Sequence, residues 1–351
     1  MSQFYTLSIH KITRETTKAV TLSFSVPSEL KDTFRFTAGQ YLTLKASIKG
    51  EEVRRAYSLC SAPASGELSV TVKEVESGVF SVHANQHLKE GDTLEVAAPE
   101  GRFVLDSAFA KAQHTYAAFA AGSGITPIMS MIKTVLEQSS ESKFVLVYGN
   151  KKPEDAIYRE ELLALREQYK NRFSIEFIYS ESREDGAHFG RIMKSTVNFV
   201  VKNKYASADF EHYYLCGPET MIKEVKQVLQ ENSVEENRIH FELFTASEDS
   251  AQIEENLDGK SQIKVICDDE EYSFAMAQDV LILDAALDEN IDAPHSCQGG
   301  VCSSCIARVT EGTAVMEKNQ ILTDSEVAEG LILTCQAHPT SATVVVDFDD
   351  V

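Results

Sequence analysis

Cys297, Cys302 and Cys305 fall within the nine residues CQGGVCSSC, and Cys335 follows 30 positions after the third. Thiols this close form a disulfide framework, a zinc knot or the anchor of an electron carrier, and each demands a different fold around it. The chain has seven cysteines, an odd number. Its first twenty residues, MSQFYTLSIHKITRETTKAV, hold no apolar core of signal-peptide length, and no later stretch approaches the roughly 18 apolar residues of a membrane span. The expectation is a cytoplasmic protein that neither crosses nor binds a membrane. In that reducing setting clustered cysteines are metal ligands or redox groups rather than bridges.

The spacing C-x4-C-x2-C with a distant fourth cysteine is that of a two-iron, two-sulfur cluster. Three ligands on one loop surround one iron and part of the other, thiolate suits iron and sulfide, and Gly299, Gly300, Ser303 and Ser304 let backbone N–H groups turn toward the sulfurs. The competing four-cysteine zinc site usually comes as two separated C-x2-C knuckles, and only one such pair is present. The segments NIDAPHSCQGGVCSSCIARVTEGTA and EGLILTCQAHPTSATVVV resemble plant-type ferredoxins, which implies Cys297, Cys302, Cys305 and Cys335 as cluster ligands. His295 stands where that family often has an aromatic and reads as a packed loop residue. Cys60, Cys216 and Cys267 read as small buried hydrophobes, with a second interpretation for Cys216 alone.

At 351 residues, 43% hydrophobic and 25% charged, the chain is globular and long enough for three domains. From Leu7 to about Pro99 the period is two: VTLSFSV (20–26), YLTLKASI (41–48), LSVTVKEV (68–75) and DTLEVAAP (92–99) predict an antiparallel β-barrel. After His114 strands alternate with helices: TYAAFAAGSGITP opens a helix, then strand 143–150, helix 154–170, strands 173–180 and 212–217, and helix 218–231, a doubly wound α/β sheet. The polar stretch 245–262 reads as a linker. Beyond it QIKVIC, a helical DVLILDAALDEN (279–290) and ATVVVDF predict an α+β, β-grasp-like domain. The expected boundaries are 1–108, 109–245, a linker at 246–260, and 261–351.

A one-electron centre cannot take a hydride, so a chain that joins it to a nucleotide fold needs a converter, and flavin is the obvious one. RRAYSLCSAP (54–63) carries Arg55, Tyr57 and Ser58 in an R-x-Y-S order similar to the ferredoxin reductase family. The resemblance implies that Arg55 neutralises a flavin phosphate, Tyr57 covers a ring face and Ser58 offers a hydrogen bond to N5. Gly78 and Ser81 in GVFS precede a helical run, so that Ser81 and the helix start bind pyrophosphate or, more simply, Ser81 is an N-cap. GSGITP (122–127) lets a diphosphate approach backbone donors at Gly122 and Gly124. It is similar to the G-x-G-x-T-P loop of ferredoxin reductases, which implies that Thr126 and Pro127 face the nicotinamide. YYLCGPETM resembles the C-G-P-x-x-M segment of that family, which implies catalytic placement of Cys216, with Gly217 and Pro218, beside the hydride-donating carbon; a buried strand-end cysteine is the alternative. Ser182, Arg183 and Arg191 suit a 2′-phosphate while Glu181, Glu184 and Asp185 oppose one, so the expectation leans to NADPH with NADH open.

Together the three segments resemble a ferredoxin reductase-like flavoprotein with a ferredoxin at its carboxyl end, in the order of the reductase subunits of bacterial phenylacetyl-CoA epoxidases and their relatives. The resemblance implies an NAD(P)H-dependent oxidoreductase of electron transport that passes electrons through FAD, with FMN as the alternative, and a 2Fe-2S cluster to an oxygenase. Reductases of ring-hydroxylating dioxygenases and of other two-component oxygenases fit the same motifs, and a non-catalytic redox or metal-binding module is the alternative from another class. Net charge is −21. Residues 260–351 hold 17 acidic against 4 basic side chains, which disfavours nucleic acid and favours an oxygenase with a basic docking face.

Overall fold

The computed structural model describes residues 3–105, 113–244 and 259–351. The expected boundary at 108/109 and nearly all of the expected linker at 246–260 lie outside the described residues. Two compact units are formed: Tyr5–Val53 with Tyr57–Phe244, and Thr245–Val351 with the short segments Met1–Phe4 and Arg54–Ala56.

Alternating apolar residues build the first part of the larger unit. Strands β1 (Phe4–Thr16), β2 (Ala19–Ser25), β3 (Tyr41–Ile48), β4 (Glu51–Ser58), β5 (Leu68–Lys73) and β6 (Thr93–Ala97) form one sheet in the order β4-β3-β6-β1-β2-β5. Leu7, Ile9, Leu22, Leu42, Leu44 and Val72 are fully buried on its inner face. Leu59, just beyond β4, bridges Val70 of β5 in antiparallel fashion. The two edges therefore meet and the sheet is barrel-like, as the alternation predicts. Register breaks between Ile9 and Lys11 and between Arg14 and Thr16 bend the long β1 around this curve. The helix that follows β5 runs Val79–Gln86, so it begins within GVFS rather than after it as expected.

The period change after His114 marks the second part. Strands β7 (Thr115–Ala121), β8 (Lys143–Asn150), β9 (Phe173–Tyr179), β10 (His188–Phe189), β11 (Phe210–Cys216) and β12 (Ile239–Glu242) form a parallel sheet in the order β10-β9-β8-β7-β11-β12. Helices Ile125–Gln138, Arg159–Gln168 and Glu219–Glu231 connect them. The expected helix at 154–170 starts late. Pro153–Asp155 makes a single 3-10 turn, and Tyr158 sits at φ +60° before helix Arg159–Gln168. Its hydroxyl shares a buried hydrogen bond with Thr71 Oγ1 of β5, a tertiary contact that local propensity cannot anticipate. Because β8 and β9 lie to one side of β7 and β11 and β12 to the other, the strand order reverses at β7/β11, where α/β sheets open a crevice at the carboxyl ends of their strands.

In the smaller unit β13 (Lys260–Cys267), β14 (Glu270–Ala277), β15 (Ile306–Glu311), β17 (Leu331–Leu333) and β19 (Thr343–Asp347) form a mixed sheet in the order β14-β13-β19-β15-β17. Strands β16 (Ala314–Met316) and β18 (Ala337–Pro339) pair separately. Helix Ile282–Asp288 covers a core of Ile263, Val265, Ile282, Leu283, Leu333, Val344 and Val346, the expected β-grasp-like arrangement. The loop 289–305 carries three of the clustered cysteines.

Candidate functional site

The crevice at the strand reversal is lined by close-packed backbone. A Cβ on Gly124 would lie 2.1 Å from the carbonyl oxygen of Cys216, so only glycine lets the turn Gly122–Gly124 rest on the end of β11. Gly122 has φ +55°, and the nearest atom to a Cβ there would be Lys73 Nζ at 3.4 Å. The ammonium at the end of β5 thus faces the glycine turn, and burial lowers its pKa. A lysine, a left-handed glycine and a helix start together suit a diphosphate. Lys73 escapes a reading of the sequence alone; its only signal is a cation ending an otherwise apolar strand. Thr126 is buried and donates to Ser123 O at 3.0 Å, so its hydroxyl holds the turn, and Pro127 is buried in the first turn of helix Ile125–Gln138, where no N–H is needed. Gly217 packs near Ala121 and Met221, and Pro218 precedes helix Glu219–Glu231.

Beneath the turn, Cys216 is fully buried, and burial with the nearby Glu242 raises its thiol well above the ordinary value. It is a neutral, shape-defining group. The two residues are register partners on adjacent strands. Ser58, 4% exposed, donates to Glu242 Oε2 at 3.4 Å. Burial pushes the Glu242 carboxyl up to about 8, with the Ser58 hydrogen bond acting in the opposite sense. Ser58, Cys216 and Glu242 therefore form one cluster of proton-bearing groups. Glu242 also escapes the sequence reading, although an acid flanked by Phe241 and Leu243 in a strand-like HFEL is a detectable anomaly.

On the barrel side Tyr57 packs against Phe80, ring centroids 5.4 Å apart. Arg55 is exposed and donates to the Arg54 carbonyl. Gly78, not Ser81, is the N-cap of helix Val79–Gln86, which removes the simple capping reading of Ser81. A Cβ on Gly78 would meet Ser81 Oγ at 2.3 Å. Ser81 Oγ accepts from Val75 N at 3.2 Å, and Asn85, held by Arg14 at 3.0 Å, donates to the Ser81 carbonyl. The Ser81 hydroxyl thus lies in the first turn of helix Val79–Gln86, a donor set that suits an anion.

Beyond β9, Arg183 lies over the ring of Phe189, 4.5 Å from its centroid, and Phe189 is 56% exposed. Two of the carboxylates expected to repel a 2′-phosphate are engaged elsewhere: Glu184 pairs with Arg159 at 2.6 Å and Glu181 with Lys151 at 3.6 Å. Asp185, Arg191 and Ser182 line the same stretch, Arg191 exposed and Ser182 half-buried.

The four clustered cysteines form two pairs. Cys305 Sγ lies 3.3 Å from Cys335 Sγ, and Cys297 and Cys302 are hydrogen-bonded to each other. Within each pair one thiol is lowered by its neighbour, Cys297 to about 6 and Cys335 also downward, while Cys302 and Cys305 are raised. Backbone N–H groups turn toward sulfur as expected: Gly299 N to Cys297 Sγ at 3.4 Å, Gly300 to Cys335, and Ser304 to Cys302. Two thiol pairs wrapped in N–H donors fit a two-iron cluster, one pair per iron, better than a single tetrahedral zinc. Gln298 at φ +51° and Gly300 at φ +72° turn the loop. Thr334 ties Cys335 to the Cys305 carbonyl at 3.0 Å, and Gln336 donates to the Gln298 and Cys335 carbonyls. His295 Nδ1 donates to the Ala293 carbonyl of its own loop at 2.8 Å, a packed residue as read from sequence. Cys60 and Cys267 are buried. Among the described residues no helix is long and apolar enough to cross a membrane.

Comparison with known proteins bears on all three modules. Residues 6–105 match the oxidoreductase FAD-binding domain, 119–227 the oxidoreductase NAD-binding domain, and 265–340 the 2Fe-2S iron-sulfur cluster binding domain. The chain is 38% identical to a component of the 1,2-phenylacetyl-CoA epoxidase of Escherichia coli over 99% of each chain. It is 32% identical to the ferredoxin reductase component of 3-ketosteroid-9-alpha-monooxygenase of Rhodococcus rhodochrous, over 97% of this chain and 96% of that one. Among solved structures it resembles phthalate dioxygenase reductase, described as a modular structure for electron transfer from pyridine nucleotides to [2Fe-2S], at 25% identity and a TM-score of 0.62 over 98% of both chains. The cofactors are accordingly FAD, NAD(P)H and a 2Fe-2S cluster. With each module matched in order and a 38% identical relative covered end to end, the chain belongs to the family of oxygenase-system oxidoreductases that join an FAD-binding, an NAD-binding and a 2Fe-2S domain in one polypeptide.

Proposed function

We propose that this chain is the reductase component of a phenylacetyl-CoA epoxidase, drawing electron pairs from NADPH and delivering them singly to the oxygenase. The observation that carries the reading is the end-to-end likeness to the Escherichia coli epoxidase component, with all three modules in the same chain. Bound FAD takes a hydride and gives up single electrons, and a 2Fe-2S cluster carries them one at a time. The protein's own contribution is placement and electrostatics. Arg55, Tyr57, Gly78 and Ser81 would hold the flavin, its phosphates at the start of helix Val79–Gln86. Gly122, Gly124 and Lys73 would hold the coenzyme diphosphate. Ser58 would meet flavin N5, with Glu242 behind it as a protonated acid at neutral pH. Cys216 would pack beside the nicotinamide and keep its thiol neutral. Cys297 with Cys302, and Cys305 with Cys335, would each take one iron. Arg183, Ser182 and Arg191 would take a 2′-phosphate, and the pairing of Glu184 and Glu181 with cations supports NADPH over NADH.

The acidic 260–351 segment supports an oxygenase with a basic docking face. A second reading, reductase of a steroid monooxygenase, is favoured by the 32% identical Rhodococcus relative. Reconstitution separates them. The purified, cofactor-loaded chain is expected to support NADPH-dependent epoxidation of phenylacetyl-CoA when mixed with the oxygenase components of the epoxidase. Coupling only to a 3-ketosteroid 9α-monooxygenase oxygenase would favour the second reading.

A further inference from the structure

Glu176 lies in the middle of β9 and is only 4% exposed, a burial that carboxylates rarely undergo without partners. Three donors converge on it. His188 Nε2 is 3.1 Å from its Oε2, Tyr205 Oη donates to Oε1 at 2.8 Å, and Lys204 Nζ pairs with Oε1 at 2.5 Å. Burial opposes the charge, but these donors outweigh it and hold the carboxyl below its ordinary value. Lys204 and Tyr205 both reach it from the end of the π-helical turn Phe199–Lys204, a wide-turn geometry that is rare and concentrated at functional sites. The His188 ring also meets Phe199 edge-on at the start of that turn, centroids 5.3 Å apart.

These contacts fix β10. That strand has two residues, His188 and Phe189, paired with Ile178 and Tyr179 of β9. So short a ladder specifies its own position weakly, and the side-chain tether to Glu176 supplies the rest. The intervening segment leaves β9 at Tyr179 and is closed where Gly190 N donates to the Tyr179 carbonyl at 2.9 Å, so β10 ends the loop that carries Ser182 and Arg183. Phe189, next to His188, is 56% exposed and bears the Arg183 guanidinium 4.5 Å from its ring centroid. Contacts therefore run without a gap from Glu176 through His188 and Phe189 to Arg183. We propose that Glu176 and His188 are positioning residues for coenzyme choice: they fix the ring on which Arg183 rests and so set the preference for the 2′-phosphate of NADPH. This role rests on the reading of Arg183 as a 2′-phosphate ligand. A guanidinium whose platform shifts has to be ordered again on binding, which weakens the affinity for one coenzyme and leaves the hydride step alone.

Initial rates of the FAD- and cluster-loaded chain with NADPH and with NADH, using ferricyanide as acceptor, test this. Glu176→Gln and His188→Leu are expected to raise KM for NADPH about fivefold while kcat and KM for NADH stay within about twofold. His188→Gln keeps a donor toward Glu176 and is expected to retain the wild-type preference. In an Arg183→Ala background His188→Leu is expected to add nothing, because residues that act through one group are not additive. The His188 side chain is 43% exposed, so its replacement carries the test even where Glu176→Gln does not fold. A folded His188→Leu protein with unchanged KM for NADPH, an equal rise of KM for both coenzymes, or full additivity with Arg183→Ala overturns the positioning role. Arg183→Ala with unchanged KM for NADPH would instead overturn the underlying reading of Arg183.

Discussion

Glu242 shows most clearly what one residue does here. Its carboxyl is raised from 4.5 to about 8 by burial, so the folded chain holds this proton more tightly than the unfolded chain. Stability from this group is fully present below about 4.5 and is lost as pH rises through about 8. Wild-type protein is therefore expected to lose thermal midpoint between pH 5 and pH 9, and Glu242→Gln to lose less of it, as differential scanning calorimetry would register. Ser58→Ala removes the hydroxyl that we propose meets flavin N5, and stopped-flow reduction by NADPH is expected to slow about tenfold or more; an unchanged rate would refute the contact. Cys335→Ser is expected to abolish the cluster's visible spectrum while the flavin spectrum persists. The cysteines were legible because ligand spacing is a covalent property of the chain. Glu242 was not, because its role arises from register pairing with Cys216 and from burial, neither of which is local.

At the scale of elements, the glycine turn after β7 is where sequence and fold agree most tightly. Gly124→Ala would put a Cβ 2.1 Å from the Cys216 carbonyl. Backbone must move, and a loss of about 1–3 kcal/mol is expected from chemical denaturation, together with weaker NADPH binding. The strand–helix alternation of the coenzyme module was readable because buried parallel strands give near-continuous apolar runs such as KFVLVYGN. Short elements were not: β12 has four residues, β10 has two, and helix Arg159–Gln168 begins where the Thr71–Tyr158 contact sets it. The acids near Arg183 looked repulsive in sequence, and their cationic partners Lys151 and Arg159 lie 30 and 25 positions upstream. Arg183→Ala is accordingly expected to raise KM for NADPH about tenfold with little change for NADH, measured by initial rates with each coenzyme.

For the whole molecule, the order of modules was legible from three changes of pattern: period two, then strand–helix alternation, then a cysteine loop in an acidic setting. The boundaries at 108/109 and 246–260 remain proposals. If the acidic carboxyl-terminal segment docks the partner, as we propose, cross-reduction of an oxygenase partner is expected to slow as ionic strength rises from about 0.05 to about 0.5 M, because screening shortens the reach of its charges. The central claim is that one polypeptide converts hydride into single electrons. Anaerobic titration of fully loaded protein with NADPH, followed by visible absorption and by electron paramagnetic resonance, tests it most directly. The expected result is bleaching of the flavin together with appearance of the reduced-cluster signal. A flavin that bleaches completely while the iron stays oxidised under excess NADPH would contradict it.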